Sequence, residues 1–226
     1  MAALLKGRDL HRSFGRVQAL RGACLELAAG EIVAVIGPSG SGKSTLLHCL
    51  AGILAPDLGE VWFDGRRLDE LPDRERAVLR RSEFGFVFQF GQLIPELPAI
   101  ENIALPLLLA GRRRRDALAE AGTWLTRLGL DGLDTRMPGE LAGGEGQRVA
   151  LARALITGPR IVFADEPTGA LDSIAADQVM ELLVDTAREL GAGVLLVTHE
   201  PRVAAYADRT VLVRDGLDVL ARAGAS

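Results

Sequence analysis

IVAVIGPSGSGKST, residues 32–45, is the stretch on which the fold turns. Ile32–Ile36 is apolar throughout, the pattern of a strand buried on both faces. Gly37-Pro38-Ser39-Gly40-Ser41-Gly42-Lys43-Ser44 follows at once, with the spacing G-x-x-x-x-G-K-[ST]. From Lys43 the apolar residues Leu46, Leu47 and Leu50 fall at i, i+1 and i+4, so the spacing predicts a helix over 43–51. A strand that feeds a glycine-rich loop and then a helix is built to hold an anion. Glycine lets the backbone approach closely, and successive N–H groups with the helix N-terminus hold phosphate oxygens. Lys43 is placed to reach the β- and γ-phosphates of a nucleotide, and the Ser44 hydroxyl to ligate Mg²⁺. Of 26 basic residues only Lys6 and Lys43 are lysine. A chain so biased toward arginine that keeps lysine at 43 needs a compact ammonium there.

Working outward, Arg21–Leu27 reads as a strand joined to Ile32–Ile36 by the turn 28–31, and Glu60–Phe63 as another before the turn pair Asp64-Gly65. A helix is expected from Asp73. Helical spacing then dominates, near 100–110 and 117–128. Strands return at 161–164 and 194–198, with a helix of about 174–190 between them, which is a crossover unit of a parallel sheet. The expected fold class is α/β: a P-loop NTPase core with a mostly parallel sheet, an antiparallel portion near the N-terminus and an inserted α-helical subdomain. We expect a single domain over 1–226, with 1–89 and 157–226 as the core and about 90–156 as the helical subdomain.

Composition limits the alternatives. The 226 residues are 48% hydrophobic and 25% charged, the balance of an ordinary folded protein. A net charge of −4 offers nothing for a nucleic-acid backbone. The longest apolar run, 103–110, is interrupted by Pro106 and falls short of the ~18–20 residues of a membrane span. No export signal is visible, so a cytoplasmic location is expected, with any membrane link through a partner. Cys24 and Cys49 each lie in an apolar stretch and read as reduced core thiols. Arginines 112–115 read as a solvated loop or helix start.

The strand at 161–164 ends in Asp165 and Glu166. A carboxylate at a strand's C-terminal end can hold Mg²⁺ directly or through water, and a second beside it can orient or deprotonate the attacking water.

Five further segments, in order, resemble the motifs of ATP-binding cassette (ABC) nucleotide-binding domains. Phe14 in Arg12-Ser13-Phe14-Gly15 matches the aromatic residue that stacks on adenine, where the family more often has tyrosine. Gln89 matches the glutamine that senses Mg²⁺ and the attacking water. Leu141-Ala142-Gly143-Gly144-Glu145-Gly146-Gln147-Arg148 resembles the LSGGQ-type signature. Pro167–Asp172 resembles the loop through which two domains communicate, and His199 the switch histidine that contacts the γ-phosphate. Segments 86–89, 93–97, 101–107 and 164–173 are similar to the lipoprotein-release, macrolide-export and cell-division branch. The resemblance implies ATP and Mg²⁺ as cofactors, with Ser44, Gln89 and Asp165 toward the metal and Glu166, Gln89 and His199 in catalysis. It implies nucleotide contacts from Phe14, Gly37–Thr45, Ala142, Gly143, Gly144, Glu145 and Asp172. It further implies a head-to-tail homodimer with ATP between Gly37–Thr45 of one chain and Leu141–Arg148 of the other. A separate membrane permease would dock near Phe90, Leu93 and Ile94.

Ala142 departs from the pattern, because the signature serine hydroxyl donates to the γ-phosphate held by the opposite chain. Weakened dimer closure or slow turnover is the expected consequence. The rival readings are a non-transport ABC ATPase, which usually carries a long insertion or second cassette, and a small P-loop kinase, which lacks the signature and His199. An ATP-dependent clamp or scaffold of a membrane complex with little hydrolysis is the alternative that Ala142 keeps open.

Overall fold

The computed structural model describes residues 3–218. It is an α/β protein with both antiparallel and parallel strands, and its chain divides into two compact units. Residues up to Arg80 together with those from Gly193 onward form one unit, and Arg81–Ala192 the other.

In the first unit, β1 (Ala3–Phe14) and β2 (Val17–Ala28) form a long antiparallel hairpin. β4 (Leu58–Phe63) pairs with β1 and β5 (Arg66–Arg67) with β4, giving the order β2-β1-β4-β5. β3 (Ile32–Ile36) runs parallel to both β8 (Gly193–Val197) and β9 (Arg209–Arg214). β10 (Leu217–Asp218) returns antiparallel along β9. Residues 32–35 are all buried, as a strand flanked on both sides and covered on both faces must be. Helix α1 (Lys43–Leu50) turns Leu46, Leu47 and Leu50 into the core, and the short α7 spans Pro201–Ala204. Helix α2 (Asp73–Glu83) buries none of its residues.

Strands β1 and β9 were not legible in the sequence. The alternation of β1 is broken by register shifts between Gly7 and His11, where Asp9 takes a positive φ of 49°. Cys49 is fully buried, and burial pushes its thiol up to about 11. Cys24 is only half-buried, a correction to the core reading of both thiols. It lies on edge strand β2, where side chains alternate between core and solvent and its neighbours Ala23 and Leu25 take the inward positions.

In the second unit, β6 (Phe84–Phe88) pairs in parallel with β7 (Ile161–Asp165). Phe163 packs against Phe84 edge-on at 5.1 Å and against Phe86 stacked at 5.5 Å. The helices are α3 (Ala99–Leu109), α4 (Arg114–Arg127), α5 (Gly143–Leu155) and α6 (Ser173–Leu190). Helix α6 buries Ala176, Val179, Met180, Leu183, Val184 and Ala187, one face at a three-to-four spacing. Helix α5 packs so closely on β6 that a Cβ on Gly85 would stand 2.3 Å from the Ala154 carbonyl oxygen. Arginines 112–115 are exposed; Arg112 pairs with Glu120 and Arg114 with Glu101, the bland outcome for a charge run. Among the described residues no helix is long and apolar enough to cross a membrane.

Segment 94–98 is fastened by one buried side chain. Asn102, fully buried on α3, accepts from Ile94 N–H at 2.8 Å and donates to the Ile94 and Leu97 carbonyls at 3.1 and 2.7 Å. Asn102→Ala strands a half-buried N–H and two carbonyls and leaves a gap in the core, so urea unfolding should show a loss of about 2–4 kcal/mol. A loss below about 1 kcal/mol would mean that water replaces the amide.

Candidate functional site

The loop after β3 closes under steric control. Gly37 takes φ 154° and Gly42 φ 102°, where a side chain is strained. A Cβ at Gly37 would lie 2.1 Å from the Val213 carbonyl oxygen, and one at Gly42 2.3 Å from that of Ala19. Backbone from β9 and β2 thus presses the loop into shape from outside. Inside it, Lys43 is 7% exposed and donates to the Gly37 and Pro38 carbonyls at 2.9 and 3.0 Å. The buried Ser41 hydroxyl oxygen has no hydrogen-bond partner. No side chain caps α1 at Gly42. A buried ammonium, an orphaned hydroxyl and uncapped helix amides around a loop that excludes a Cβ at Gly37 and Gly42 fit a phosphate chain. Pro38, Ser39, Gly40 and Ser44 are exposed, and Thr45 is half-buried.

Phe14 ends β1 and is 48% exposed, opposite Val17, which is 67% exposed. Asp57 anchors this tip by accepting from Arg12 Nη1 and the Ser13 N–H, both at 2.7 Å. The Arg12 guanidinium stands 5.2 Å from the Phe14 ring centroid. The start of β2 then meets the phosphate loop, since Ala19 is the residue that excludes a Cβ from Gly42. His199 follows β8, whose partner β3 leads into the same loop; Thr198 N–H donates to Val35 O at 3.1 Å. His199 is exposed, with its turn held by Glu200 N–H donating to Thr198 Oγ1 at 3.0 Å. The first unit therefore brings Phe14, the phosphate loop and His199 to one end of β3.

In the second unit, Phe88 is opposite Asp165, so Gln89 and Glu166 leave the paired strands side by side. Glu166 takes φ 48°, rare for a residue that is not glycine, and both acids are half-buried. The Gln89 amide lies against Gly169, where a Cβ would stand 2.8 Å from Nε2. Gly143 and Gly144 face Leu171 and Ala175 within 3.5 and 3.2 Å of a notional Cβ, which places the signature beside the loop 167–172. Asp172 Oδ1 accepts from the Ile174 and Ala175 amides at 3.0 and 2.9 Å, so its carboxylate caps α6. A cavity of about 290 Å³ opens among Gln89, Phe90, Leu93, Ala142, Gly143 and Leu171. Phe90 is 75% exposed, whereas Leu93 and Ile94 are half-buried; the apolar surface offered here is chiefly one ring.

Ala142 is the N-cap of α5 and has no oxygen to accept from the helix. Glu145 returns the other half of a capping box, accepting from Ala142 N–H at 2.8 Å. Ala142→Ser completes the box and should raise stability by about 1 kcal/mol in thermal unfolding. On the resemblance drawn from the sequence, the serine would also restore a donor toward a charged phosphate, worth ~1.5–3 kcal/mol, and ATP turnover should then rise ~10–100-fold. An unchanged or lower rate would show that the hydroxyl has no role here.

Sequence reading did not single out Val17, Asp57 or Arg153, and took Gln147 only as part of the segment 141–148. Val17 carried a signal, an apolar residue directly after the Gly15-Arg16 turn. Asp57, Gln147 and Arg153 act on backbone groups, which leave no pattern in sequence.

The ABC transporter family matches residues 20–169. The chain is 46% identical over 220 residues to the lipoprotein-releasing system ATP-binding protein LolD of Geobacter metallireducens, covering 96% of this chain and 98% of that one. It is 44% identical over 219 residues to LolD of Acinetobacter baylyi, covering 95% and 96%. Among solved structures it is similar to the dimeric post-hydrolysis state of the ATP-binding cassette MJ0796 bound to ADP and Pi. That match has a TM-score of 0.87 at 37% identity, covering 95% of this chain and 96% of that one.

Proposed function

The chain belongs to the ABC transporter family, and from that premise we propose that it is the ATPase subunit of a lipoprotein-releasing membrane complex. As a member of the family it hydrolyses ATP and works as a dimer with a membrane permease. The phosphate loop carries the reading: an orphaned Ser41 hydroxyl and a buried Lys43 ammonium in a cradle closed to a Cβ at Gly37 and Gly42. In our reading Gly37–Thr45 holds the phosphates and Phe14 stacks on adenine. Ser44, Asp165 and Gln89 would each offer Mg²⁺ an oxygen, since magnesium takes one or two carboxylates plus phosphate oxygens. Glu166 aims and deprotonates water, His199 contacts the γ-phosphate, and Ala142–Glu145 meets the nucleotide of the second copy. Asp172 acts through the helix that it caps. Residues of about 90–156 serve as the helical subdomain, and Phe90 docks the permease. Closure on ATP and reopening after hydrolysis would transmit motion to the permease, which attaches the chain to the inner face of the membrane and carries cargo outward.

Ala142 favours a second reading, a clamp that binds ATP and hydrolyses it little. Affinity purification of the full chain from membranes, followed by steady-state ATPase measurement, tests both. The motor reading expects a few-span permease to accompany the chain, with turnover stimulated by lipoprotein. Tight ATP binding with negligible turnover in that complex selects the clamp, and absence of a permease removes both.

A further inference from the structure

One helix grips the loop that carries Gln89. Gln147, 3% exposed on α5, donates Nε2 to the Phe88 carbonyl at 2.8 Å. Arg153, two turns further along, donates Nη2 to the Gly91 carbonyl at 2.6 Å and Nη1 to that of Gln92 at 2.8 Å. The loop is itself tightly wound. Gly91 N–H donates to Phe88 O at 3.0 Å, and Gly91 and the non-glycine Gln92 both take positive φ, 66° and 47°. Burial pushes the Arg153 guanidinium pKa down, and no carboxylate among the described residues opposes that shift. A half-buried cation without a counter-charge carries a desolvation cost, and here it is met by two carbonyls of one short loop. Packing alone would be served by an aliphatic side chain.

Helix α5 also opens with Gly143 and Gly144 of the signature. We propose that Arg153, with Gln147, is a positioning residue that locks loop 88–92 to α5, so that Gln89 and the signature glycines move as one body. Displacing the loop displaces the helix, and engaging the signature displaces Gln89. The inference rests on the role assigned above to Gln89.

Arg153→Lys tests it, because a single ammonium cannot span both carbonyls in the fork geometry of a guanidinium. In the full chain, amide hydrogen exchange at Gly91 and Gln92 should quicken at least ~10-fold, while β7 and α6 keep their protection. ATP affinity should stay within about two-fold, because the phosphate loop is untouched. The kcat should fall ~10-fold or more, with more Mg²⁺ needed for half-maximal rate, and the effect should be non-additive with Gln89→Ala. Unchanged exchange at 91–92, exchange that quickens equally in β7 and α6, or a kcat within two-fold of wild type would each overturn the proposal. Gln147→Met is read in the same way and decides the matter if Arg153→Lys fails to fold. A wild-type chain without ATP turnover would instead remove the reading of function, and the exchange result would still report on the lock.

Discussion

Glu166→Gln will lower steady-state ATP turnover by about 10²–10⁴-fold while leaving ATP affinity within a few-fold, as expected for loss of a general base. The amide keeps the size and one acceptor of the carboxylate but cannot take a proton at neutral pH. Glu166 leaves β7 at φ 48°, and glutamine meets the same backbone strain there, so thermal unfolding should be nearly unchanged. With hydrolysis blocked and binding intact, ATP should accumulate in a closed dimer. Gel filtration with Mg-ATP should show the variant eluting as a dimer and the wild type returning to monomer as ATP is consumed. A variant that remains monomeric in ATP, or keeps more than a tenth of wild-type turnover, sinks the assignment of Glu166.

Lys43→Ala is expected to reduce Mg-ATP affinity by ~100-fold or more in calorimetry. The ammonium makes charge-assisted bonds, each ~1.5–3 kcal/mol toward a charged acceptor, and two such bonds to phosphate oxygens account for the loss. Those donors also reach the Gly37 and Pro38 carbonyls, so the variant loosens the loop itself. Lys43→Arg is the informative control. The chain otherwise favours arginine, yet Lys43 is 7% exposed and donates to two loop carbonyls as a compact point charge. Arginine should rescue no more than a small part of the affinity. Full rescue would show that charge alone is required and that the close fit of the loop is incidental.

Much of the chemistry was legible before any coordinates. The run 32–45 fixed a buried strand, a phosphate loop and a helix, and those elements are β3, the cradle and α1. The periodicity of 174–190 gave α6, because a helix covering one face of a core must place apolar residues every three to four positions. Strands β1, β6 and β9 escaped notice for different reasons. β1 bends at Asp9 and loses its alternation, β6 is short and all but hidden in an aromatic run, and β9 is flanked by arginines. As the helical spacing near 100–110 implies, α3 runs through Pro106, with Ala110 N–H donating to Pro106 O at 3.0 Å. At that position in the final turn, proline costs one bond, and the packing of Ile103, Ala104 and Leu107 outweighs it.

The sequence by itself determined which functional groups are present and in what order they enter the fold: lysine and serine after one strand, two acids after another, glycines at the mouth of a helix. Tertiary structure alone decided what holds those groups still. Asn102, Asp57, Gln147 and Arg153 each work on backbone amides or carbonyls of distant segments. Such a bond needs no particular residue type at its far end, so it leaves no complementary letter in the sequence. It exists only once folding has brought a polar side chain within about 3 Å of a peptide group far from it in the sequence.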